Sequence, residues 1–312
     1  MLRNINIQTA GNENSRDLVL AAIDIGSNAA RLLICRAMKT KASETVFIKL
    51  NLVRIPLQLG FDVFEQGYIS AEKEIKLIDT LHSYKYLMRV YNVNHFEACA
   101  TSAMREAGNS AEIISRVKEI TGIDIKIISG REEAEIIFEN HIEKYLDKNH
   151  PYLYIDVGGG STELTLYNNS KPVFEESFDV GTIRMLKKKI DENEWLRFKE
   201  YIKSETRRYG NLVGIGSGGN INKISSMSRI KLNKPIESEV LLDYYEELSK
   251  MNVEERMIEY GFREDRAEVI LPALQIYNYV MKWAHINKIY VPRIGLADGL
   301  IRKLYKNRAI PV

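Results

Sequence analysis

The chain has 312 residues, of which 45% are hydrophobic and 28% charged, and its formal net charge is +2. This is ordinary globular usage over a length that suggests two domains. A balance so near neutral gives no general reason to expect nucleic acid or a membrane surface as partner, so any anion site must be local. No run of about 18 apolar residues is present, and no membrane span is expected. The two cysteines, Cys35 and Cys99, lie in apolar, strand-like surroundings and are expected as buried thiols of a reducing compartment. The polar residues 1–17 lack the apolar core of a signal peptide and are expected as a flexible lead-in. The expected location is therefore cytoplasmic.

In chain order, residues 19–34 (VLAAIDIGSNAARLLI) read as two apolar strands around a small polar turn, a β-hairpin with Asp24 near its tip. A strand is predicted at 46–53. A helix follows at 71–91, with Ile75, Ile78, Leu81, Leu87 and Val90 at helical spacing. Next come a strand at 95–100, a helix at 110–120 and a strand at 124–128, and another helix starts near Glu132 after the turn Ser129–Gly130. Residues 151–166 (PYLYIDVGGGSTELTL) repeat the opening hairpin, and Asp156 aligns with Asp24 at an offset of 132 (156 less 24). A helix at 193–208 and a strand at 211–215 ending in glycines come after it. Helices at 238–251 and 264–283, a strand at 288–291 and a last helix from about Asp298 complete the chain. Strand–helix alternation predicts an α/β fold, and the distant repeat predicts two domains of one topology around a cleft.

Glycine inside a strand costs roughly 0.5–1 kcal/mol, so three together at 158–160 need a reason. One is a tight turn. The other is backbone N–H groups approaching an anion that a side chain would block. A second cluster, NLVGIGSGGN at 211–220, again follows a strand and favours the second. In α/β sheets ligands sit beyond the carboxyl ends of strands, where helix N-termini add positive charge. Turns at 26–28, 101–102, 129–130, 158–161 and 216–219 could therefore face one polyanion. The candidate phosphate-binding residues are Gly26, Ser27, Asn28, Ser102, Gly158, Gly159, Gly160, Ser161, Gly216, Ser217, Gly218 and Gly219. Residues 214–219 also fit the dinucleotide pattern G-x-G-x-x-G, but they lie late in the chain and no clear ribose-binding acid follows. No Walker-type loop is present.

Asp24 and Asp156, near the two tips, would face each other across the cleft. Beside a polyphosphate they would repel it unless a hard cation such as Mg²⁺ lay between. Glu163 could join them. Each Asp could instead cap its own turn. Ser129 and Glu132 form a capping box in sequence, which leaves Glu133 at the helix start to orient a water and take its proton. Arg31 and Arg105 are placed to clamp phosphate oxygens, Arg184 is a third candidate, and Lys187 to Lys189 could extend the track. The five histidines have no metal-ligand spacing.

IDIGSNAARLL, ATSAMREA, ISGREEAEIIF, YIDVGGGSTEL, SFDVGTIRML and VGIGSGGN, in this order, resemble the exopolyphosphatase / guanosine pentaphosphate phosphohydrolase (Ppx/GppA) family from about residue 18 to DGLIRKL at 298–304. The resemblance implies two ribonuclease-H-like domains of the actin-like ATPase, sugar kinase and Hsp70 superfamily, at 18–128 and 129–297, with a C-terminal helix at 298–312 packing back on the first. It also implies Mg²⁺-dependent hydrolysis of a terminal phosphoanhydride, in inorganic polyphosphate or guanosine pentaphosphate. Glu133 would be the catalytic base, Asp156 and Glu163 would serve metal or water, and Arg105 would hold phosphate. Asp24, Asp156 and Glu163 are the expected metal ligands. Ala29 and Asn220 stand where the family often has a hydroxyl residue, which touches substrate preference. The longer members' C-terminal metal-hydrolase-like domain is expected to be absent, and with it some of the grip on long chains. A homodimer is the commonest assembly for such a protein. A metabolite kinase, a non-catalytic sensor of the same anions and an actin-like filament protein are the alternatives.

Overall fold

The structure is a computed structural model that describes residues 17–40, 44–138, 150–169, 171–231 and 234–309. The expected lead-in lies outside the described residues, except for its last position.

The opening hairpin forms from β1 (Asp17–Ile25) and β2 (Ala29–Lys39), paired antiparallel with Asp24 opposite Arg31. Leu20 to Ile25 are buried on both faces, which is why this strand reads as a continuous apolar run. β3 (Thr45–Pro56) pairs with β2 through a bulge at Ile34/Cys35, and β4 (His95–Ala100) and β5 (Ile125–Ile127) extend the other side in parallel. The strand order is β3-β2-β1-β4-β5. On one face, α2 (Ala71–Val90) and α4 (Ser110–Thr121) bury Leu77, Leu81, Ile113 and Val117 against Ala21, Ile23 and Ile25. On the other face lies α12 (Leu296–Ala309), whose Leu300, Ile301 and Leu304 cover Leu20 and Ala22.

The second hairpin repeats the scheme with β6 (Tyr152–Val157), β7 (Thr162–Asn168) and β8 (Lys171–Phe178). β9 (Val213–Ser217) runs parallel to β6, β11 (Lys288–Tyr290) is parallel to β9, and the two-residue β10 (Ile236–Glu237) closes the edge. The first sheet has the order third, second, first, fourth, fifth strand. The second has third, second, first, fourth, sixth, with its short fifth strand β10 added antiparallel at the edge. In the five strands the two sheets share, only the second is antiparallel to the first. That is the ribonuclease-H-like arrangement, present twice. α7 (Glu192–Thr206), α8 (Gly219–Met227), α9 (Ser238–Ser249) and α11 (Glu264–Trp283) pack Phe198, Ile202, Ile221, Leu241 and Ile270 around the second sheet. α5 (Gly130–Phe138) packs on β7, β8 and also on α12, so it touches both lobes.

Several elements were not expected from sequence, the two-residue β10 among them. α1 (Leu59–Gln66), α3 (Ser102–Glu106) and α6 (Thr182–Leu186) are too short to show a period. β8 is an edge strand carrying Pro172 and four polar residues, Lys171, Glu175, Glu176 and Ser177, so it lacks an apolar signature. α10 (Val253–Tyr260) did leave a signal: Asn252 and Glu255 form a complete capping box.

Candidate active site

A cleft of about 210 Å³ lies between the lobes. Parallel pairing builds its floor. β4 beside β1 brings Thr101 and Ser102 next to the turn after Ile25, and the Thr101 amide donates to the Ile25 carbonyl (3.1 Å). β9 beside β6 sets Ser217 opposite Asp156. Asp24 and Asp156 occupy equivalent places, one residue before the end of the first strand of each hairpin, and both line the cleft. Glu163 lies directly across the ladder from Asp156. Glu133, in the first turn of α5, closes the group.

The helix that carries Glu133 starts where the sequence signals it. The Ser129 Oγ accepts from the Glu132 amide (3.1 Å), and Glu132 Oε2 accepts from the Ser129 amide (3.1 Å). Glu132 is thereby committed to the cap. Glu163 Oε1 accepts from the hydroxyls of Ser161 (2.6 Å) and Ser177 (3.1 Å). Arg31 Nη1 donates to Asp24 Oδ2 at 2.7 Å. Arg105 donates through Nη1 to the Ile128 carbonyl (2.9 Å) and does not line the cleft itself, but its charge acts on Glu133 and Glu163.

Glu133 and Asp156 keep some surface open to the cleft, yet the protein around them removes most of their hydration. Burial, and then the charges of Glu163, Asp156 and Asp24, push Glu133 well above the usual carboxylate range, with Arg105 opposing. Burial and then Glu163 push Asp156 up to about 7, against Arg31 and a hydrogen bond from Ser217. Glu163 is raised by burial, in spite of its two serine donors and Arg105. Four acids in one desolvated cleft are a site that favours cations or protons.

The glycines of the second turn divide by role. A Cβ on Gly158 would press on the Ser161 carbonyl oxygen (3.1 Å), the requirement of a tight turn. On Gly159 it would meet Ser27 Cβ (2.8 Å), and on Gly160 the ring of Phe64 and Ser102 Oγ (2.6 Å). Two of the three glycines therefore let one lobe's turn lie against the other lobe. Gly160 does not line the cleft, contrary to its expected phosphate-binding role. Gly216 does not either: it sits inside β9, where a Cβ would crowd Ile289 and Ile221. Gly26, Ser27, Asn28, Ser102, Gly158, Gly159, Ser161, Ser217, Gly218 and Gly219 all line the cleft, as does Arg31.

Arg184 is used elsewhere. Its Nε donates to the Gly160 carbonyl (2.7 Å), its Nη2 pairs with Glu106, and its guanidinium lies over the Phe64 ring (4.2 Å to the centroid). Lys187 pairs with Glu65 at 2.8 Å. Both cations tie the lobes together. Sequence reading missed another group: Arg54, Arg266 and Arg293 line the cleft. Arg54 pairs with Asp265, and burial followed by the Arg54 charge pulls Arg266 below its ordinary value. Their signals in sequence (the end of a strand, the first turn of a helix) are not distinctive. Ser177 and Thr182 were also missed, although both lie within the quoted SFDVGTIRML.

Among the described residues, no three His, Cys, Asp or Glu side chains are grouped as a metal site. Asp24, Asp156 and Glu163 thus do not form the expected three-carboxylate set, because Asp24 is engaged by Arg31. Mg²⁺ asks for less: one or two carboxylates, with phosphate oxygens and waters for the rest. Asp156 with its neighbour Glu163 fits that smaller demand. Asn28 Oδ1 and Asn222 Oδ1, buried on cleft-lining residues, have no hydrogen-bond donor among the described residues, and water on a cation could supply one.

Twin ribonuclease-H-like lobes closing on glycine turns, arginines and buried carboxylates define a phosphate-handling protein of the actin-like ATPase fold. A family model, the Ppx/GppA phosphatase family, matches residues 50–308. The chain belongs to the Ppx/GppA phosphatase family. It is 25% identical over 302 residues to a putative exopolyphosphatase of Haemophilus influenzae, covering 92% of each chain. It is 32% identical over 187 residues to a bifunctional 3-dehydroquinate synthase/phosphatase of Fusobacterium nucleatum, over 58% of this chain and 28% of that one. The fold is shared with the Ppx/GppA family member of Aquifex aeolicus (TM-score 0.70, 24% identity, 93% and 99% of the two chains). It is also shared with an exopolyphosphatase of Cytophaga hutchinsonii (TM-score 0.78, 24% identity, 93% and 98%).

Proposed function

We propose that the protein hydrolyses the terminal phosphoanhydride of inorganic polyphosphate, with guanosine pentaphosphate as a second candidate substrate. One observation carries the reading: Glu133 stands among Asp156, Glu163 and the phosphate-binding turns, buried enough to hold a proton more tightly than an ordinary glutamate. A carboxylate with raised proton affinity, beside the reacting phosphate, is what water attack needs. The family and the curated exopolyphosphatase relative support the same substrate class.

In this reading the terminal phosphate lies between the turns at 26–28 and 158–161, and the rest of the chain runs toward Arg54 and Arg266. Asp156 and Glu163 would hold Mg²⁺, which would supply charge neutralisation at the phosphate oxygens. Glu133 orients a water in line with the bridging P–O bond and takes its proton as the new P–O bond forms. The bridging bond breaks and the shortened chain leaves. Positioning and charge neutralisation supply most of the rate in such a loose transition state.

Phosphate release from polyphosphate and from guanosine pentaphosphate, assayed in parallel with Mg²⁺ and then with a chelator, is the test. Release from polyphosphate that stops on chelation is expected. Binding without release would favour the sensor reading, and release only with a hydroxyl acceptor the kinase reading. Glu133→Gln should lower turnover at least ~10²-fold with little change in binding, and wild-type turnover in that variant removes the base from the mechanism.

A further inference from the structure

Gly299 lies in the first turn of α12, within the DGLIRKL stretch to which no role is yet attached. Glycine is the least favourable helix residue after proline, and its backbone here lies outside the left-handed region. Neither cap geometry nor a turn accounts for it. Contact does. A Cβ at 299 would fall on the carbonyl oxygen of Ile136 in α5, with Ile136 Cγ2 only 2.6 Å away. Two helix backbones approach here as closely as the missing side chain permits.

Ile136 stands three residues after Glu133, so the two share one side of α5. The start of α5 is fitted just as tightly to the other lobe, where a Cβ on Gly130 would lie 2.9 Å from Ser177 Oγ and 3.5 Å from Glu163 Oε1. α12 belongs to the first lobe: it packs on β1, β2 and β4, and Asp298 anchors its start through Lys49 (2.6 Å) and the Gly295 amide (3.1 Å). One glycine thus sets α5 against the lobe bearing the turn at 26–28, the other against the lobe bearing Asp156 and Glu163.

We propose that Gly299 is a positioning residue for Glu133: its contact with Ile136 fixes the distance of the base from the phosphate-binding turn of the first lobe. The inference rests on the role given to Glu133 above. A methyl group at 299 must push α5, and with it the carboxylate, while the arginines and glycine turns that bind substrate stay in place. Rate should fall and affinity should not.

Gly299→Ala, with kcat referred to the folded fraction by near-ultraviolet circular dichroism, is expected to lose at least ~10-fold in kcat for polyphosphate hydrolysis while KM stays within about 3-fold. Leu304→Ala, which empties space where α12 packs on the first sheet, should lose stability and keep kcat within about 3-fold. Should Gly299→Ala not fold, the pair Ile136→Ala with Gly299→Ala, which removes one of the crowding atoms, is read in the same way. Unchanged kcat in the 299 variant, an equal loss in Leu304→Ala, or a loss confined to KM overturns the proposal. A fully active Glu133→Gln would overturn the base itself. An inactive Glu133→Gln beside a fully active Gly299→Ala would sink this inference alone.

Discussion

Asp156 carries the best-defined consequence of crowding carboxylates in a desolvated cleft. Its pKa stands at about 7 in the folded chain against an ordinary 3.8, because of burial first and Glu163 second. The folded state therefore binds this proton more tightly than the unfolded chain. Its contribution to stability is fully present below about pH 4 and is lost as pH rises toward 7. In chelator, the melting temperature of the wild type should decline across that window more steeply than that of Asp156→Asn, and Mg²⁺ should recover the loss in the wild type. Parallel slopes for the two proteins would show that Asp156 is not strained by its neighbours.

Helices and turns here are set by short-range chemistry, and their tolerance to change follows it. The capping box of α10 lies away from the cleft, so Asn252→Ala should cost about 1 kcal/mol in urea denaturation and leave phosphate release unchanged. The turn at 158–161 should behave in the opposite way. Gly160→Ala places a methyl group against the Phe64 ring and Ser102, so the turn must withdraw from the first lobe. Overpacking of this kind costs roughly 1–3 kcal/mol, and here it should also lower turnover, since Gly158, Gly159 and Ser161 move with it. A Gly160→Ala protein with full activity would mean that the turn does not serve the site.

At the scale of the whole molecule, the two lobes are latched on the side of the cleft nearest α1 and α6. Arg184 binds Gly160, Glu106 and the Phe64 face, Lys187 binds Glu65, Arg54 binds Asp265, and Gln58 Nε2 reaches Glu268 Oε2 (3.1 Å). Breaking the most connected of these with Arg184→Ala should let the cleft widen. Small-angle scattering is expected to give a larger radius of gyration for that variant than for the wild type, and a phosphate oligomer should bring it back by drawing the lobes together. An unchanged radius would mean that the remaining contacts hold the closed state alone.

By itself the sequence determined the repeated Asp-bearing hairpin, the α/β order, the capping box before Glu133 and the family. All of these are written in residues that are neighbours along the chain, where period and turn chemistry act directly. It also pointed to Asp24, Asp156, Glu163 and Glu133 as acids of one cleft, because glycine turns after strands mark the ligand end of a parallel sheet. Only the tertiary structure decided what those residues meet. Arg184 looks in sequence like Arg31, yet it ties the lobes together, since Glu106 lies 78 positions away along the chain and beside it in space. Gly159 and Gly160 look like a phosphate nest and serve partly as the seam where the second lobe rests on Ser27, Phe64 and Ser102. Arg54 and Arg266 come from different lobes and left no joint pattern in sequence; packing of α11 beside β3 brought their charges together. Contacts between distant segments depend on how close two backbones can come, and that distance is fixed by packing, which no local stretch of sequence records.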